Sequence, residues 1–553
     1  MAKFARTGFP IPTTAAPLPA GPVTTTGPQV TNHQGGTGWA RDPKSDLFLF
    51  AAVNMVGEDT FYEKAAQRDE RFRTLVHQAT MEDPAWVARF VPYLRNEMHM
   101  RSASVVMAVE SALARLGRIP GVAVDAAQLA DAPTVRQLIA SALTRADEPA
   151  ELIAYWRART GKRSIPGGVQ RGLADAVTRL FTEKAALKYD GINRSWRMAD
   201  VIAVAKPKPS GAWQADLFDF LADKRWNRPE VRVSSRLSTV GNWATTKELD
   251  TAERRATLIN NPDVARKSGI TWEEMSSLGK MDKAAWEAMI PSMGYMALLR
   301  NLRNFDEAGV SDDAAALVMR KLANPTEVAR SRQFPYRFLS AYRAAPSLRW
   351  GHPLEQAMQA SAKQIPQLPG RTLIMIDTSG SMHGNVSAKS EIRHVDVGAL
   401  IGLALAFGMS NVDIVGYATG WFRFIPTKGG SLLKDLDMFC AQIGRVGHGT
   451  NTMATLNAAY DKHDRVIIVT DGQAFADNSG GYGHWDVMGR LVRPSVSTSI
   501  PAEVPMFGIN TTGYAVSSID TSQPNRFEIG GFSDKVFQLF SLLATGQGSD
   551  WPF

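Results

Sequence analysis

The stretch Arg371-Thr-Leu-Ile-Met-Ile-Asp377-Thr-Ser-Gly-Ser-Met382 decides the fold of this chain. Leu373, Ile374, Met375 and Ile376 follow one another without alternation and run into an acid. Such a run predicts a strand covered on both faces, as in a parallel sheet. Asp377, Ser379 and Ser381 then form D-x-S-x-S on the turn leaving the strand, the edge of an open α/β sheet where ligands sit. One carboxylate and two hydroxyls are hard oxygen ligands, suited to a Mg²⁺ that keeps some of its waters.

Taken alone, Asp-Thr-Ser-Gly-Ser also describes a capped strand-to-helix turn. Two downstream segments separate the readings. Gly447-His448-Gly449-Thr450 offers a hydroxyl in a glycine-rich loop, and Val466 to Thr470 is a second buried-strand pattern ending in Asp471. Strand ends and loops thus supply Asp, Ser, Ser, Thr and Asp in fixed order. At this point the segment resembles the von Willebrand factor A domain and its metal-ion-dependent adhesion site, matched at Asp377, Ser379, Ser381, Thr450 and Asp471. The resemblance implies a doubly wound α/β domain over residues 366–553. It also implies a divalent cation, Mg²⁺ or another, with an open position for a protein partner's carboxylate. It does not imply catalysis, and a phosphatase with an aspartyl nucleophile would place a second Asp where Ser379 stands.

At 553 residues the chain has room for two to four domains, and its 44% hydrophobic content supports full cores. The single cysteine, Cys440, excludes an internal disulfide framework and a cysteine metal cluster. A reducing cytoplasm is the expected location. Prolines break the start of the chain where a signal peptide needs an apolar run. The apolar stretch Val397 to Met409, thirteen residues, is too short to span a membrane and is expected as the core helix after the metal loop.

Charge divides unevenly. Residues 1–370 carry 49 Lys and Arg against 38 Asp and Glu, whereas residues 371–553 carry 13 against 16. Residues 151–210 alone hold 12 basic and 5 acidic side chains, an electrostatic footprint for a polyanion. Lys162, Arg163, Arg171, Lys188, Arg194, Arg197, Lys206 and Lys208 are the candidate contacts to such a polyanion, interleaved with Tyr189 and Trp196. Phosphate neutralisation by eight such side chains would give a salt slope of about −6 on a single strand, at ~0.7 per phosphate. Tyr189 and Trp196 read as core before stacking platforms, and Trp243, Trp272 and Trp286 as core.

Residues 1–45, rich in Pro, Thr and Gly, read as a flexible tail. From Asp46 to about Lys363 the pattern is helical, punctuated by Pro84, Gly117, Pro149, Gly167, Pro207, Pro229, Pro262, Pro291, Pro325 and Pro346. Breaks every few dozen residues predict helix pairs of the HEAT or armadillo kind. Glu82-Asp83-Pro84-Ala85-Trp86 reads as a helix start, and Thr271-Trp-Glu-Glu274 as a capping box.

The helical part, residues 46–365, resembles the TROVE module. The resemblance is carried by PSMGYMALLRNLRNF (291–305), FPYRFLSAYRAA (334–345), LKYDGINRSWRMADVIAVAKPKP (187–209) and, more loosely, residues 90–113. A TROVE module followed by an A domain is the layout of the Ro autoantigen family and its bacterial orthologues. Asn525 to Phe532 and the helix from Lys535 to Leu543 resemble that family's closing strand and helix. The family implies a ring of helical repeats that binds small structured Y-like RNA outside and the single-stranded end of misfolded non-coding RNA in its hole. It also implies delivery to an exoribonuclease. GGVQRGLADAV (167–177) departs from the family's basic helix, offering Arg171 alone, while Asn193-Arg-Ser-Trp196 is better preserved.

Other chemistry finds little support. H-E-x-x-H and a G-x-x-x-x-G-K-[ST] phosphate loop are both missing, and His383, His448 and His484 have no second ligand at metal spacing. Gln473, Phe475 and Asp477 fall where the rim of an A domain would meet a partner. The reading is therefore a non-enzymatic RNA-binding protein. Its rivals are a Mg²⁺-dependent protein-interaction adaptor with incidental RNA affinity and a Mg²⁺-dependent nuclease.

Overall fold

The structure is a computed structural model. It describes residues 26–33, 35–161, 164–226, 231, 233–345, 347–361, 368–409, 411–427, 430–473, 484–485, 491–492, 495–532, 535–545 and 551–553. The chain divides into two compact units, one of residues 70–361 and one of residues 1–69 with 362–553.

In the first unit every described regular element is helical. Prolines open several helices because a first-turn residue needs no amide hydrogen. Pro84, Pro149, Pro262 and Pro325 all stand in that turn. Asp83 caps Pro84–Asn96 by accepting from the Trp86 amide at 2.9 Å. Thr271 accepts from the Glu274 amide at 3.3 Å, so the hydroxyl half of the expected capping box forms.

Helices Pro84–Asn96 and Arg101–Arg115 pack on each other and on Val135–Ala142, which packs on Gly167–Leu180. The last contact depends on Gly172. A Cβ there would lie 2.6 Å from the Arg136 carbonyl oxygen and 2.8 Å from Ile139 Cβ. Trp86, Trp156, Tyr336 and Trp350 fill the interior. Of the tryptophans expected as core, Trp286 is buried, while Trp243 and Trp272 are only half-buried. Trp243 donates to Glu274 at 2.9 Å and lies under Lys224 and Lys247, so its polar edge holds it at the surface.

Buried acids in this unit are compensated. Glu110 accepts from His77 (2.8 Å), Tyr155 (2.7 Å) and Arg159 (2.5 Å). Burial pushes its carboxyl up, but the hydrogen bonds from these three groups outweigh it and hold the pKa at about 2. Glu148 accepts from Arg95 (2.6 Å), Arg101 (3.1 Å) and the amides of Thr144 and Arg145.

The second unit is built on strands β1 (Thr26–Thr31), β2 (Thr37–Arg41), β3 (Thr372–Asp377), β4 (Val412–Tyr417), β5 (Trp421–Phe424), β6 (Arg465–Thr470), β7 (His484–Trp485), β8 (Leu491–Val492), β9 (Met506–Asn510), β10 (Val516–Ser517) and β11 (Arg526–Gly530). Its main sheet has the order β11-β9-β6-β3-β4-β5, parallel throughout except for the β4–β5 pair. Strand β3 is buried along its length between β4 and β6, as its unbroken apolar run requires. The following helix, His394–Phe407, is apolar all round and buried from His394 to Leu405. Strand β11 and helix Lys535–Ala544 close the unit where the closing elements were expected.

The amino-terminal expectation is corrected. Residues 26–33 and 35–41 are no tail: β1 pairs with β2, and β2 pairs with β10. Arg41 reaches Glu528 at 2.6 Å and the Tyr514 carbonyl at 2.8 Å. Helix Pro43–Val53, capped by Asp42, buries Leu47 through Val53 and packs on β11. Residues 46–69, expected to open the helical module, thus belong with the sheet. A polar strand needs only an available edge to order, and edges are not visible in composition.

Candidate functional site

The D-x-S-x-S turn lies at the carboxyl end of β3, and Asp471 follows β6, its neighbour in the sheet. Asp377, Ser379, Thr450 and Asp471 are fully buried and Ser381 nearly so. Asp377 Oδ1 accepts from the Ser379 amide at 2.9 Å, which turns the chain sharply, and the hydroxyls of Ser379 and Ser381 stand 3.2 Å apart. The Gly380 amide donates to the His448 carbonyl at 2.8 Å, tying the Thr450 loop to this turn. That loop bends at Gly447 with φ +88°, where a side chain would be strained and would strike Thr419.

Both carboxyl groups of the site are perturbed by their burial. Burial raises the Asp377 carboxyl above the usual range, partly offset by its hydrogen bonds from Ser379 and Thr470. Burial, and then the charge of Asp377, push Asp471 up to about 7. Thr450 Oγ1 and Asp471 Oδ2 are buried without a hydrogen-bond partner. Unpaired buried oxygens of this kind cost free energy, and a hard cation would satisfy both. Among the described residues no group of three His, Cys, Asp or Glu side chains could hold a metal, so a cation here depends on the hydroxyls of Ser379, Ser381 and Thr450 beside the two carboxylates. The donor set fits Mg²⁺ with retained waters.

Sequence reading missed Thr470, whose hydroxyl donates to Asp377 Oδ2 at 2.6 Å and so orients it. The signal was present: Thr470 is the one hydroxyl at the end of an apolar strand, directly before the second acid. His383 Nε2 donates to the Thr378 carbonyl at 3.2 Å, and the ring meets His448 edge-on at 5.6 Å between ring centres. Gln473, expected at a partner-facing rim, is instead fully buried. Its carboxamide accepts from the His33 amide at 2.9 Å and donates to the Val516 carbonyl at 3.0 Å. The amino-terminal hairpin occupies that side chain. Phe475 and Asp477 lie outside the described residues.

In the helical unit the basic candidates separate. Arg171, Lys188, Arg194, Lys206 and Lys208 are exposed, and none forms an ion pair among the described residues. Arg197 is corrected from RNA contact to structural residue. It is buried and bound to Asp190 at 2.7 Å, and Asp190 also accepts from the Met198 amide. A buried carboxylate needs a cation beside it, and position 197 supplies one. Lys162 and Arg163 lie outside the described residues. Tyr189 and Trp196 are half-buried rather than core, each beneath a guanidinium, with Arg157 4.4 Å from the Trp196 ring.

Comparison with known proteins defines the class. Residues 265–374 match the TROVE domain. The chain is 39% identical over 98 residues to mouse telomerase protein component 1 and 40% identical over 74 residues to the rat protein. These segments are 17% and 13% of this chain but about 4% and 3% of those much longer relatives. The crystal structure of the Deinococcus radiodurans Ro (RSR) protein superposes with a TM-score of 0.59 at 16% identity, covering 92% of this chain and 100% of that one. The chain therefore carries a TROVE domain and has the fold of that Ro protein, a helical region followed by a mixed, mainly parallel α/β sheet. No described helix is long and apolar enough to cross a membrane.

Proposed function

We propose that this is a non-enzymatic RNA-binding protein of the Ro type. Its helical unit holds small structured, Y-like RNA and the single-stranded ends of misfolded non-coding RNA for stabilisation and quality control. Its α/β unit holds Mg²⁺ for contact with a protein partner, and an exoribonuclease is the partner class that would consume the RNA. The cytoplasm suits a chain with one cysteine.

The observation that carries the reading is the set Arg171, Lys188, Arg194, Lys206 and Lys208, exposed cations with no carboxylate paired to them among the described residues. Exposed, unpaired Lys and Arg are what phosphate contacts require. Filter binding of a structured RNA at rising salt tests it. Five phosphate contacts give a log–log slope of about −4, at ~0.7 to 0.9 each. Replacing Arg171, Arg194, Lys206 and Lys208 together by Ala should cut that slope to about −1 and weaken binding at every salt. Unchanged affinity would refute the placement.

The unpartnered Thr450 and Asp471 oxygens favour a second reading, an adaptor whose metal site is primary. RNA retained only at very low salt, with no preference for a 3′ end, would support it. A Mg²⁺-dependent nuclease would degrade labelled RNA on long incubation unless Asp377 were replaced by Ala. Intact RNA is expected here.

A further inference from the structure

A cleft in the helical unit shares Lys188 with the cluster just discussed. It has a volume of about 430 Å³ and is walled by Lys184 and Lys188 from helix Glu183–Tyr189, Arg266, Trp272, Glu273 and the Pro291-Ser-Met-Gly294 turn. Cavities of roughly 300–1,000 Å³ hold small organic ligands, so a single nucleotide fits this one.

The chemistry of the walls is specific. Lys184 and Lys188 form no ion pair among the described residues. Arg266 has only the exposed Asp263 on its own helix at 2.8 Å, a contact that water screens. Glu273 is the one acid among the described residues of the wall, where cations outnumber it three to one. Trp272 is half-buried against the buried ring of Trp286, with centroids 5.8 Å apart and planes 30° apart. A ring braced from behind keeps its orientation while part of it stays open, at little entropic cost to a base that stacks on it. Across the cleft, nothing lies within 4 Å of where a Gly294 side chain would start, so a ligand can approach the backbone closely.

We infer that this cleft is a nucleotide site, in which the base lies on Trp272 and the phosphate between Lys184 and Lys188. The site rests on the RNA-binding reading for its macromolecular ligand, though a free nucleotide carries the same chemistry. Lys184 and Lys188 belong to the basic segment that composition singles out, whereas Arg266 comes from outside it.

Calorimetry on the full chain tests it with two probes, pentaadenylate and 5′-AMP. The wild type should bind pentaadenylate, and Lys184→Glu with Lys188→Glu should weaken that binding at least tenfold, because two attractions become repulsions. Trp272→Ala should act in the same direction. The lysine pair is exposed and leaves packing intact, so it keeps the test valid if the tryptophan variant fails to fold. AMP binding as tight as pentaadenylate, lost in the lysine variant, supports the site with a free nucleotide as its occupant, even if the chain bound no structured RNA. If both probes bind the lysine variant within twofold of wild type, or neither probe binds the wild type, the inference is overturned. Structured RNA binding that depends on Arg171, Arg194, Lys206 and Lys208 would then still stand by itself.

Discussion

The two candidate regions solve opposite physical problems. At the sheet edge, five oxygen-bearing side chains are withdrawn from water and held by backbone amides and a hydroxyl. On the helical unit, five cations stand in solvent with no ion pair among the described residues, Lys188 resting on the Tyr189 ring. A dry site is fixed before its ligand arrives and discriminates by geometry. A wet one adapts, discriminates little, and weakens with salt. The difference teaches where substitutions will be costly: at buried, compensated charge, and hardly at all on the open surface.

Removing Asp377 should have the largest effect on that contrast. Mg²⁺ at 100 times its dissociation constant should stabilise the wild-type chain by about 2.7 kcal/mol, visible as a raised melting temperature of the sheet unit. Asp377→Ala should abolish the rise and leave RNA affinity unchanged. A full Mg²⁺ response in that variant would mean that the turn after β3 holds no cation.

Arginines 194 and 197 sharpen the contrast within one loop. Arg197→Ala leaves the Asp190 carboxylate buried without its closest cation and should cost about 3 kcal/mol by denaturant unfolding. Arg194→Ala, three residues away and exposed, should change stability by less than about 0.5 kcal/mol. Equal effects would break the division between structural and binding cations.

Acid should act on the two units through different groups. His394, fully buried with its Nδ1 2.9 Å from the Thr511 carbonyl, has its pKa lowered to about 4, by burial first and then by the charge of Arg68. Between pH 6.5 and 4 the unfolded chain binds a proton at position 394 that the folded chain refuses, so His394 by itself withdraws about 3 kcal/mol as pH falls through that window, while Asp471, raised to about 7, takes up a proton in the folded chain and acts in the opposite direction. Glu110, held at about 2 in the folded chain against 4.5 unfolded, contributes stability above pH 4.5 that is lost as pH falls toward 2. In His394→Gln the unfolding free energy of the sheet unit should fall less between pH 6.5 and 4 than in the wild type, as denaturant unfolding at stepped pH would show. An identical pH profile in the two proteins would contradict the account of His394.

The smallest effect concerns packing alone. Gly172→Ala forces helix Gly167–Leu180 away from Val135–Ala142, because the new Cβ meets the Arg136 backbone. It should cost about 1–3 kcal/mol in unfolding free energy, with no change in salt dependence of RNA binding.

Much of this architecture is legible in residue order. An apolar run between an arginine and an acid reads as a central parallel strand, because only burial on both faces tolerates Leu373 to Ile376 unbroken. The metal candidates are legible for the same reason, since ligands must fall where such strands end. Two features resist. Thr470 looked like the last residue of a strand, and only its approach to Asp377 makes it a positioning residue. Helix Pro43–Val53 has a helical pattern, yet nothing local tells which unit it will cover.

Local spacing by itself determined the helical and sheet character of the two parts, the punctuation by proline, and the order of the five oxygen donors. Hydrophobic periodicity and the backbone demands of proline act over a few residues, so they survive in a linear string. Only tertiary structure decided that Arg197 is neutralised while Arg194 is free, that Gln473 is taken by the amino-terminal hairpin, and that Lys184, Arg266 and Trp272 share one cleft. Each of these depends on groups distant in the chain coming within a few ångströms, and the energy of a charge is set by those neighbours and by the water they exclude.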